Sequence, residues 1–341
     1  MNRPFRFLLL CFVALGVHGL RAQLGGTATY RFLSLPPSAM QVGLGGKQMV
    51  ALHDNPLQNF VNPALIDSAQ TRKPALNYSN WIADINYGNL AYVWNTPYGP
   101  VFTGVHYINY GRFTAADEDG NITGSFHGGE TAVVLGYAFR LHRRWQAGVN
   151  VKWIHSVLAS YRSDGAALDV GLIYRNDKGG QWALVMRNLG RQFTTYNGTR
   201  EPLPFEIDLT YAQLLEHAPL RLFLTAENLQ KPRIAFVNTA YDQTDPNGNV
   251  THQNITLVHH IFRHLIVGAE LFPRKRFNLR LGYNFRRAGE LGLKDVNFSS
   301  GLSFGLGLRL RRFALQYGYG QMHAAGNNHF IGLLIFLNPS K

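Results

Sequence analysis

One motif in this 341-residue chain resembles the surroundings of a catalytic residue. Residues 301–305 read Gly-Leu-Ser-Phe-Gly, which matches the Gly-x-Ser-x-Gly pattern around a nucleophilic serine. That pattern needs a sharp strand-to-helix turn, with an acid and then a histidine later in the chain. No Asp or Glu follows Ser303, and Ser303 falls in the middle of an alternating, strand-like run. We therefore interpret the glycines as small residues on the polar face of a strand and expect no enzymatic activity.

Histidines and loop carboxylates are the remaining groups that could bind an ion. Three histidines cluster near the end of a long loop: His259, His260 and His264. No cysteine or close carboxylate is evident to complete a metal site with them. Two turns carry carboxylate and amide oxygens at calcium-like spacing, but both lack the bidentate acid that a calcium loop needs. We expect solvated loops here, and neither a metal nor a cofactor, with calcium binding as the alternative.

The alternation of apolar and polar residues that is typical of a strand is clearest at residues 145–157. The odd-numbered residues are mostly apolar and include Trp145 and Trp153, whereas the even-numbered ones are mostly polar or small, such as Gly148 and Asn150. Side chains alternate across a strand with a period of two, so one face of this strand is apolar and the other polar. Aromatic residues opposite glycine and amides are typical of a strand that lies between lipid and a wet lumen.

Runs of this kind recur from residue 74 onward and predict fourteen strands. They fall at residues 74–85, 86–96, 99–111, 129–141, 143–157, 165–176, 180–189, 203–214, 219–230, 262–272, 276–287, 299–311, 312–321 and 328–337. Each is long enough for the roughly 9–11 residues of a tilted membrane-spanning strand, and no later run reaches the about 18 apolar residues of a transmembrane helix. The predicted fold class is an all-β, transmembrane antiparallel barrel of about 14 strands.

The connections between these strands are sorted by length. Those after even-numbered strands are all short, and most of those after odd-numbered strands are longer: residues 112–128, 158–164, 190–202, 231–261 and 288–298. Short periplasmic turns that alternate with longer extracellular loops are typical of a bacterial outer-membrane barrel. The even number of strands predicts that both termini are periplasmic.

Two of the long connections are predicted to be projecting hairpins, residues 113–126 and 237–257. Asp-Gly and Asn-Gly pairs at their tips supply the positive φ angles that tight hairpins need. Because binding function concentrates in exposed loops on a rigid scaffold, the tips are candidates for partner binding. These tip residues, which also have the calcium-like spacing, include Asp117, Asp119, Gly120, Asn121, Asp242, Asp245, Asn247 and Gly248.

The N-terminal segment differs from the strand-rich remainder of the chain. Two arginines precede an apolar run that ends before Ala22, so residues 1–22 are predicted to be a secretory signal peptide. The only cysteine, Cys11, lies in that run, and lipidation of Cys11 is the alternative, although Leu10 precedes it where a small residue is expected. Residues 23–72 are punctuated by glycine and proline and are predicted to form a hatch or plug, with the barrel at residues 73–341.

The chain is basic, with a formal net charge of +13, which falls to +10 without the three arginines of residues 1–22, where there is no acid. An exported chain does not meet nucleic acid, so we expect anionic lipid or an acidic partner instead. The strand-end cations on the predicted periplasmic side either snorkel to the lipid headgroups or form a basic rim that binds a periplasmic partner. They are Arg140, Arg143, Arg144, Arg175, Lys178, Arg274, Lys275, Arg276, Arg309, Arg311 and Arg312.

Many predicted lumen-facing positions are charged or carry an amide: Asn150, Lys152, Asp169, Glu206, Asp208, Arg221, Glu227, Glu270, Arg280 and Arg309. This number of charges favours a filled, salt-bridged interior. A channel for hydrophobic small molecules is the alternative, since glycines such as Gly88 and Gly104 would allow a kink in the wall. A passive porin is disfavoured because the hatch would obstruct flow.

Three groups of residues in the hatch carry a resemblance to a known family. They are residues 30–39 (Tyr-Arg-Phe-Leu-Ser-Leu-Pro-Pro-Ser-Ala), Gly45-Gly46 and Asn62-Pro63-Ala64. In these residues the chain resembles the PorQ family of the type IX secretion system in Bacteroidetes, with the related PorV family as a close alternative. More broadly it is similar to FadL-type fourteen-stranded barrels, which share an N-terminal hatch with an Asn-Pro-Ala element. Residues 187–190, 226–229 and 279–283 also recur in that group of barrels.

The resemblance implies a non-enzymatic role in the outer membrane. PorQ-like barrels belong to the cell-surface attachment complex, where they anchor the surface protein PorZ. PorZ works there beside PorV and the sortase PorU, which transfers secreted cargo onto anionic lipopolysaccharide. We therefore expect a PorZ-like partner at the loops of residues 112–128 and 231–261, with a FadL-like uptake channel as the alternative function.

Overall fold

The computed structural model describes residues 28–81, 84–237, 243–244, 250–251, 254–291, 299–323 and 326–337. The predicted signal peptide, residues 1–22, lies outside these ranges. Four predicted hairpin residues also lie outside them: Asp242, Asp245, Asn247 and Gly248. The helices within the described ranges are all too short or too polar to span a bilayer.

Fourteen strands of the described chain form one closed antiparallel barrel, which confirms the predicted fold class. They are β1 (Ala75–Asn80), β2 (Asn86–Thr96), β3 (Gly99–Ala116), β4 (Ile122–His142), β5 (Trp145–Leu158), β6 (Tyr161–Arg175), β7 (Gly180–Thr194), β8 (Glu206–Leu214), β9 (Leu220–Ala226), β12 (Leu265–Leu271), β13 (Phe277–Asn284), β14 (Leu302–Arg309), β15 (Phe313–His323) and β16 (Gly326–Ile335). A separate two-stranded pair, β10 (Gln243–Thr244) and β11 (Val250–Thr251), lies between β9 and β12. Each barrel strand pairs with its neighbours in the chain, and β1 closes the ring on β16.

The alternation along the strands separates an apolar outer surface from an inner one that carries polar side chains together with buried apolar ones. On β5, Trp153 is 64% exposed, whereas the adjacent Lys152 is 1% exposed. Large apolar residues such as Leu135, Leu224 and Ile331 are likewise exposed on the outside. An outward apolar band around a polar interior is what a membrane-spanning barrel requires.

An aromatic row crosses four strands at one level of this band. Trp145, Tyr174, Trp182 and Tyr211 are successive cross-strand partners on β5, β6, β7 and β8. The rings of Trp182 and Tyr211 lie 4.4 Å apart, and those of Trp145 and Tyr174 lie 4.9 Å apart. Such a row is typical of the interface between hydrocarbon and headgroups.

The two ends of the barrel differ in their connections. The connections after β2, β4, β6, β8, β12 and β14 are all short and lie at one end, here called the short-turn end, where β1 begins and β16 ends. The opposite end, here called the long-hairpin end, has the longer connections, including the projecting β3–β4 hairpin. The predicted long loop at residues 158–164 was wrong. Strands β5 and β6 continue into a two-residue turn, in which Ala159 adopts a φ of 56°.

Two predicted strand ends are helical instead. Residues 262–263 belong to α2 (Leu257–Arg263), and residues 285–287 belong to α3 (Phe285–Leu291). The rings of Phe262 and Phe285 lie 5.4 Å apart, so the apolar residues that extended the alternating pattern pack between two helices.

The described residues 28–72, here called the plug, fill the barrel. The plug contains α1 (Ala39–Gly43) and four 3₁₀ turns at Arg31–Ser34, Pro56–Phe60, Pro63–Leu65 and Ser68–Gln70. It begins at the long-hairpin end, where the Thr29 N–H donates to the Pro202 carbonyl at 3.0 Å, and it leaves at the short-turn end into β1. Because the number of strands is even, the first strand begins and the last strand ends at the short-turn end. The plug, in contrast, starts at the long-hairpin end.

Candidate functional site

The Asn62-Pro63-Ala64 motif attaches the plug to the barrel wall. The Asn62 side chain accepts from the Ala64 N–H at 2.9 Å and donates to the Met49 carbonyl at 2.6 Å. It thereby caps the short turn that starts at Pro63, where the missing N–H costs nothing. On the facing strand β5, a Cβ at Gly148 would collide with the Pro63 carbonyl. Only glycine lets the two backbones come this close.

Gly45 and Gly46 end α1 in a backbone conformation that other residues rarely adopt. Their φ angles are 95° and 106°, and the Gly46 N–H donates to the Gln41 carbonyl at 2.7 Å. The Gly45 carbonyl accepts from Arg287 of α3 at 2.6 Å. All five predicted hatch residues thus lie in the buried plug, and their functional role stays a prediction.

Lys47 of the plug lies among three carboxylates of the barrel. Its Nζ is 2.9 Å from Glu206, 3.1 Å from Glu227 and 3.8 Å from Asp208, and all four residues are buried. Burial disfavours a lone ammonium group, but three carboxylates within 3.8 Å of the Lys47 Nζ compensate for that cost. Lys47 therefore stays charged and ties the plug to β8 and to the end of β9.

Two arginines complete this cluster. Arg187 of β7 pairs with Glu206 and lies 3.6 Å from Asp208, and Arg286 of α3 lies 3.0 Å from Glu227. Three cations thus face three carboxylates. A buried charge is tolerated when it is paired and hydrogen-bonded, and removal of one partner leaves the others uncompensated. We call these six residues the Lys47 cluster.

A second buried pair stabilises the wall itself. Lys152 lies 2.8 Å from Asp169 and donates to the Asn188 side chain at 2.8 Å. Asn188 has a φ of 58°, and its N–H donates to Asp169 at 2.9 Å. The same device recurs at Asn228, which has a φ of 57° and whose N–H donates to Asp208 at 2.9 Å.

A third group of buried charges, around Glu270, links the plug to the wall near the short-turn end. It lies 3.0 Å from Arg280 and 3.5 Å from Arg221. His53 of the plug lies 2.9 Å from the same carboxylate. Side-chain contacts therefore hold the plug at two places, at Lys47 and at His53.

The lumenal charges predicted from the sequence are confirmed, with one difference at Arg309. That residue follows the inward parity of β14 but is exposed at the short-turn end. Sequence reasoning missed Lys47, Arg187 and Arg286. Lys47 is the only Lys or Arg in residues 32–71, and this isolation in a stretch expected inside a barrel is the signal that could have identified it.

The predicted tip residues of the β3–β4 hairpin form an exposed turn. The Asp117 carboxylate accepts from the Asn121 N–H at 2.8 Å, the Asn121 side chain at 3.1 Å and the Asp119 N–H at 3.1 Å. These bonds, first that of the Asn121 side chain, lower the pKa of Asp117. Gly120 supplies a φ of 84°. The role of this tip in partner binding stays a prediction.

The structure does not bring Ser303 and the clustered histidines together into a catalytic or metal-binding site. Ser303 lies in strand β14 and accepts from Arg287 at 3.1 Å. The histidine side chains have separate partners: His259 bonds Thr256, His260 accepts from the Ala235 N–H, and His264 bonds the Glu227 carbonyl. Within the described ranges, no three His, Cys, Asp or Glu residues form a group that could hold a metal ion.

Cavities lie at both ends of the plug. At the long-hairpin end, a cavity of about 470 Å³ is lined in part by Lys47, Glu227 and Arg286. At the short-turn end, cavities of about 1020 and 440 Å³ share His53 and Asp54. The cavity at the long-hairpin end shares no lining residue with the two cavities at the short-turn end. The packed plug lies between them.

No family model and no curated protein matches this chain. Solved structures do match it. The toluene transporter TodX of Pseudomonas putida is 13% identical with a TM-score of 0.52, over 88% of this chain and 98% of TodX. The toluene transporter TbuX of Ralstonia pickettii is 10% identical with a TM-score of 0.51, over 87% of this chain and 96% of TbuX. At this identity the likeness shows the fold alone, a closed barrel like those of the two transporters.

Proposed function

We propose that the protein is a non-enzymatic outer-membrane anchor that holds a surface protein through the loops of its long-hairpin end. The observation that carries this proposal is the Lys47 cluster, which fixes the plug inside the lumen through buried ion pairs. A filled, rigid barrel leaves its projecting loops as the natural binding surface.

The partner class is inferred from the sequence resemblance. The motifs that resemble the PorQ family, Gly45-Gly46 and Asn62-Pro63-Ala64, are the same residues that shape and seat the plug. We therefore propose a place in the type IX attachment complex, with a PorZ-like surface protein as the partner beside PorU and PorV. Lipopolysaccharide would surround the outer half of such a barrel.

The proposed orientation puts the long-hairpin end outside the cell. Short turns face the periplasm in bacterial barrels of this kind. The β3–β4 hairpin then projects outward with exposed apolar residues beside its polar tip. Ile122 is 76% exposed, and the stacked rings of Phe113 and Phe126, 5.1 Å apart, are about two-fifths exposed. Exposed aromatic and branched residues of this kind are common at protein interfaces.

A FadL-like channel is the second candidate, because the matched structures are described as toluene transporters. For an apolar molecule to cross the barrel, the plug would have to move, and the molecule would have to pass the charged side chains of the lumen. The cavity at the long-hairpin end has a mixed lining, with Lys47, Glu227 and Arg286 beside apolar side chains such as Phe32 and Trp81. An apolar solute would fit its apolar part, but passage onward would have to break the buried ion pairs of the Lys47 cluster. These ion pairs favour the anchor.

A pull-down from detergent-solubilised outer membrane tests the anchor. In one variant, residues 113–126 are replaced by an Asn-Gly turn, which keeps Arg112 and His127 as cross-strand partners. In a second variant, residues 237–257 are deleted. We expect the surface partner to co-purify with the unaltered protein and to be lost from at least one variant.

The matched control alters the β7–β8 connection at the same end, with Asn197→Ala and Thr199→Ala. Both residues lie in an exposed turn outside the two hairpins. The control should retain the partner. Full retention in both hairpin variants would contradict the loop assignment. Loss of toluene uptake in a null strain, restored by the hairpin variants, would instead support the channel.

A further inference from the structure

We propose that the 1020 Å³ cavity at the short-turn end, here called the basic mouth, binds an acidic peptide segment of a partner protein on that side of the membrane. This goes beyond the surface anchor, because it concerns the opposite end of the barrel and a different partner. It does not depend on the loops of the long-hairpin end.

The basic mouth is lined by cations of one wall and of the plug's exit. Seven of its described lining residues are Arg or Lys, and Asp54 is the one carboxylate among the described residues that line it. The cations are Arg72, Lys73, Arg274, Lys275, Arg276, Arg309 and Arg311. A cleft of one charge sign with low-dielectric walls focuses the electric field and concentrates a ligand of the opposite sign.

Among the described residues, most of this charge has no carboxylate partner. Lys73 pairs with Asp54 at 2.9 Å. Arg274, Lys275, Arg276, Arg309 and Arg311 take part in no ion pair among the described residues. The contrast is with Arg143 and Arg144, which belong to the same end and both pair with Asp177. Unsatisfied cations that converge on a cavity are the arrangement by which Arg clusters recognise acidic motifs.

The basic mouth lies inside the ring of strands and does not face the bilayer. Asn278 and Gln316 line it, and both belong to the buried, lumen-facing sides of β13 and β15. Arg309 follows the inward parity of β14, and its guanidinium lies over the Phe336 ring at 4.9 Å. Lipid headgroups surround the outside of the barrel, so snorkelling does not account for the inward-facing Arg309.

Part of the cavity lining is apolar. Met40, Ala314 and Leu334, which are buried, and the half-buried Phe336 line it together with the cations. Its volume is at the upper end of the range of about 300–1,000 Å³ for small-molecule sites, so it accommodates several residues of an extended segment. The chemistry that fits is a peptide in which acidic side chains alternate with apolar ones.

The test measures binding of a fluorescein-labelled peptide of alternating glutamate and leucine to the full-length protein in phosphatidylcholine nanodiscs. Fluorescence anisotropy is recorded for the unaltered protein, for R276E/R309E and for the matched control R312E/K178E. The control residues are exposed at the same end, do not line the cavity, and change the net charge equally. Heat-modifiability on gels confirms that each variant is folded.

We expect R276E/R309E to weaken binding by about tenfold or more, the control to change it by less than about twofold, and a lysine–leucine peptide not to bind. Equal binding by R276E/R309E and the unaltered protein would overturn the proposal, and so would an equal loss in the control. Nanodiscs that contain phosphatidylglycerol supply the lipid arm. Abolition of peptide binding there would show that anionic lipid occupies the cavity, which also overturns the peptide assignment.

Discussion

The plug meets the two halves of the barrel wall by different physical means. Towards β7, β8 and β9, the plug shares a buried apolar cluster with the wall, and Lys47 adds a charged contact with Glu206, Asp208 and Glu227. Towards β13, β14, β15 and β16, the contact is made by α1, which packs directly on the strands. There Gly43 approaches Gly305 so closely that a Cβ on Gly43 would lie 2.8 Å from the Gly305 Cα.

The difference shows two ways of fixing the plug inside the barrel, in addition to the buried apolar clusters that the plug shares with the wall. The backbone contact leaves no room for side chains, so it is specific in shape but has no charge to satisfy. The charged contact is specific in pairing, and its stability depends on all six residues of the Lys47 cluster being present. One side is therefore sensitive to added volume and the other to a lost charge.

The largest expected effect comes from Lys47→Ala. The substitution leaves three buried carboxylates with two arginines, and loss of one partner of a buried ionic group costs about 3–5 kcal/mol. We expect the plug to undock, with faster chymotrypsin cleavage at plug residues such as Phe60 and raised conductance in planar bilayers. Lys73→Ala is the control, since it removes an exposed pair worth about 0–1 kcal/mol. Equal behaviour of the two variants would remove the charged side of the comparison.

A smaller effect is expected from Gly318→Leu on the other side. A Cβ at Gly318 would collide with the Ala39 carbonyl of α1, and overpacking of this kind costs about 1–3 kcal/mol. The measurement is the temperature at which the folded band is lost in a heat-modifiability series. Gly326→Ala is the control, because no described atom lies within 4 Å of the added Cβ. A Gly318→Leu protein as heat-stable as the control would mean that α1 is not tightly seated.

Asn188 separates backbone strain from charge pairing on the charged side. Asn188→Ala places a Cβ-bearing residue without a polar side chain at a φ of 58°, which costs about 1–2 kcal/mol, and it also removes the Lys152 contact. Asn188→Gly removes the contact but relieves the backbone. Denaturant unfolding should rank the unaltered protein above Asn188→Gly, and that above Asn188→Ala. Equal stability of the two variants would show that the backbone conformation carries no cost.

The smallest effect is expected at the hairpin tip, far from the plug. Because bonds from Asn121 and Asp119 lower the pKa of Asp117, the ionised carboxylate stabilises the turn. This stabilisation is complete above the ordinary aspartate pKa of about 3.9 and is lost as the pH falls through the lower folded-state pKa. Asp117→Ala should speed amide exchange of the Asn121 N–H at neutral pH and leave plug docking unchanged. Unchanged exchange would show that the carboxylate does not order the tip.

The sequence determined the barrel because a strand between lipid and water must alternate. That rule assigned Lys152, Asp169 and Glu270 to the lumen, and all three are buried there. It also predicted short turns at one end and the β3–β4 hairpin at the other. These features depend on neighbouring residues and on the period of two, which one sequence displays directly.

Only the tertiary structure decided which charges meet and where the plug begins. Lys47 is 159 residues from Glu206, and no local pattern records that contact. The even number of strands predicts that the barrel begins and ends on the same side of the membrane. It does not predict that the plug starts beside Pro202 at the opposite end of the barrel. Likewise α2 and α3 replace predicted strand residues because Phe262 and Phe285 pack on each other. Contacts between distant segments are properties of the closed barrel, whereas alternation is a property of each strand.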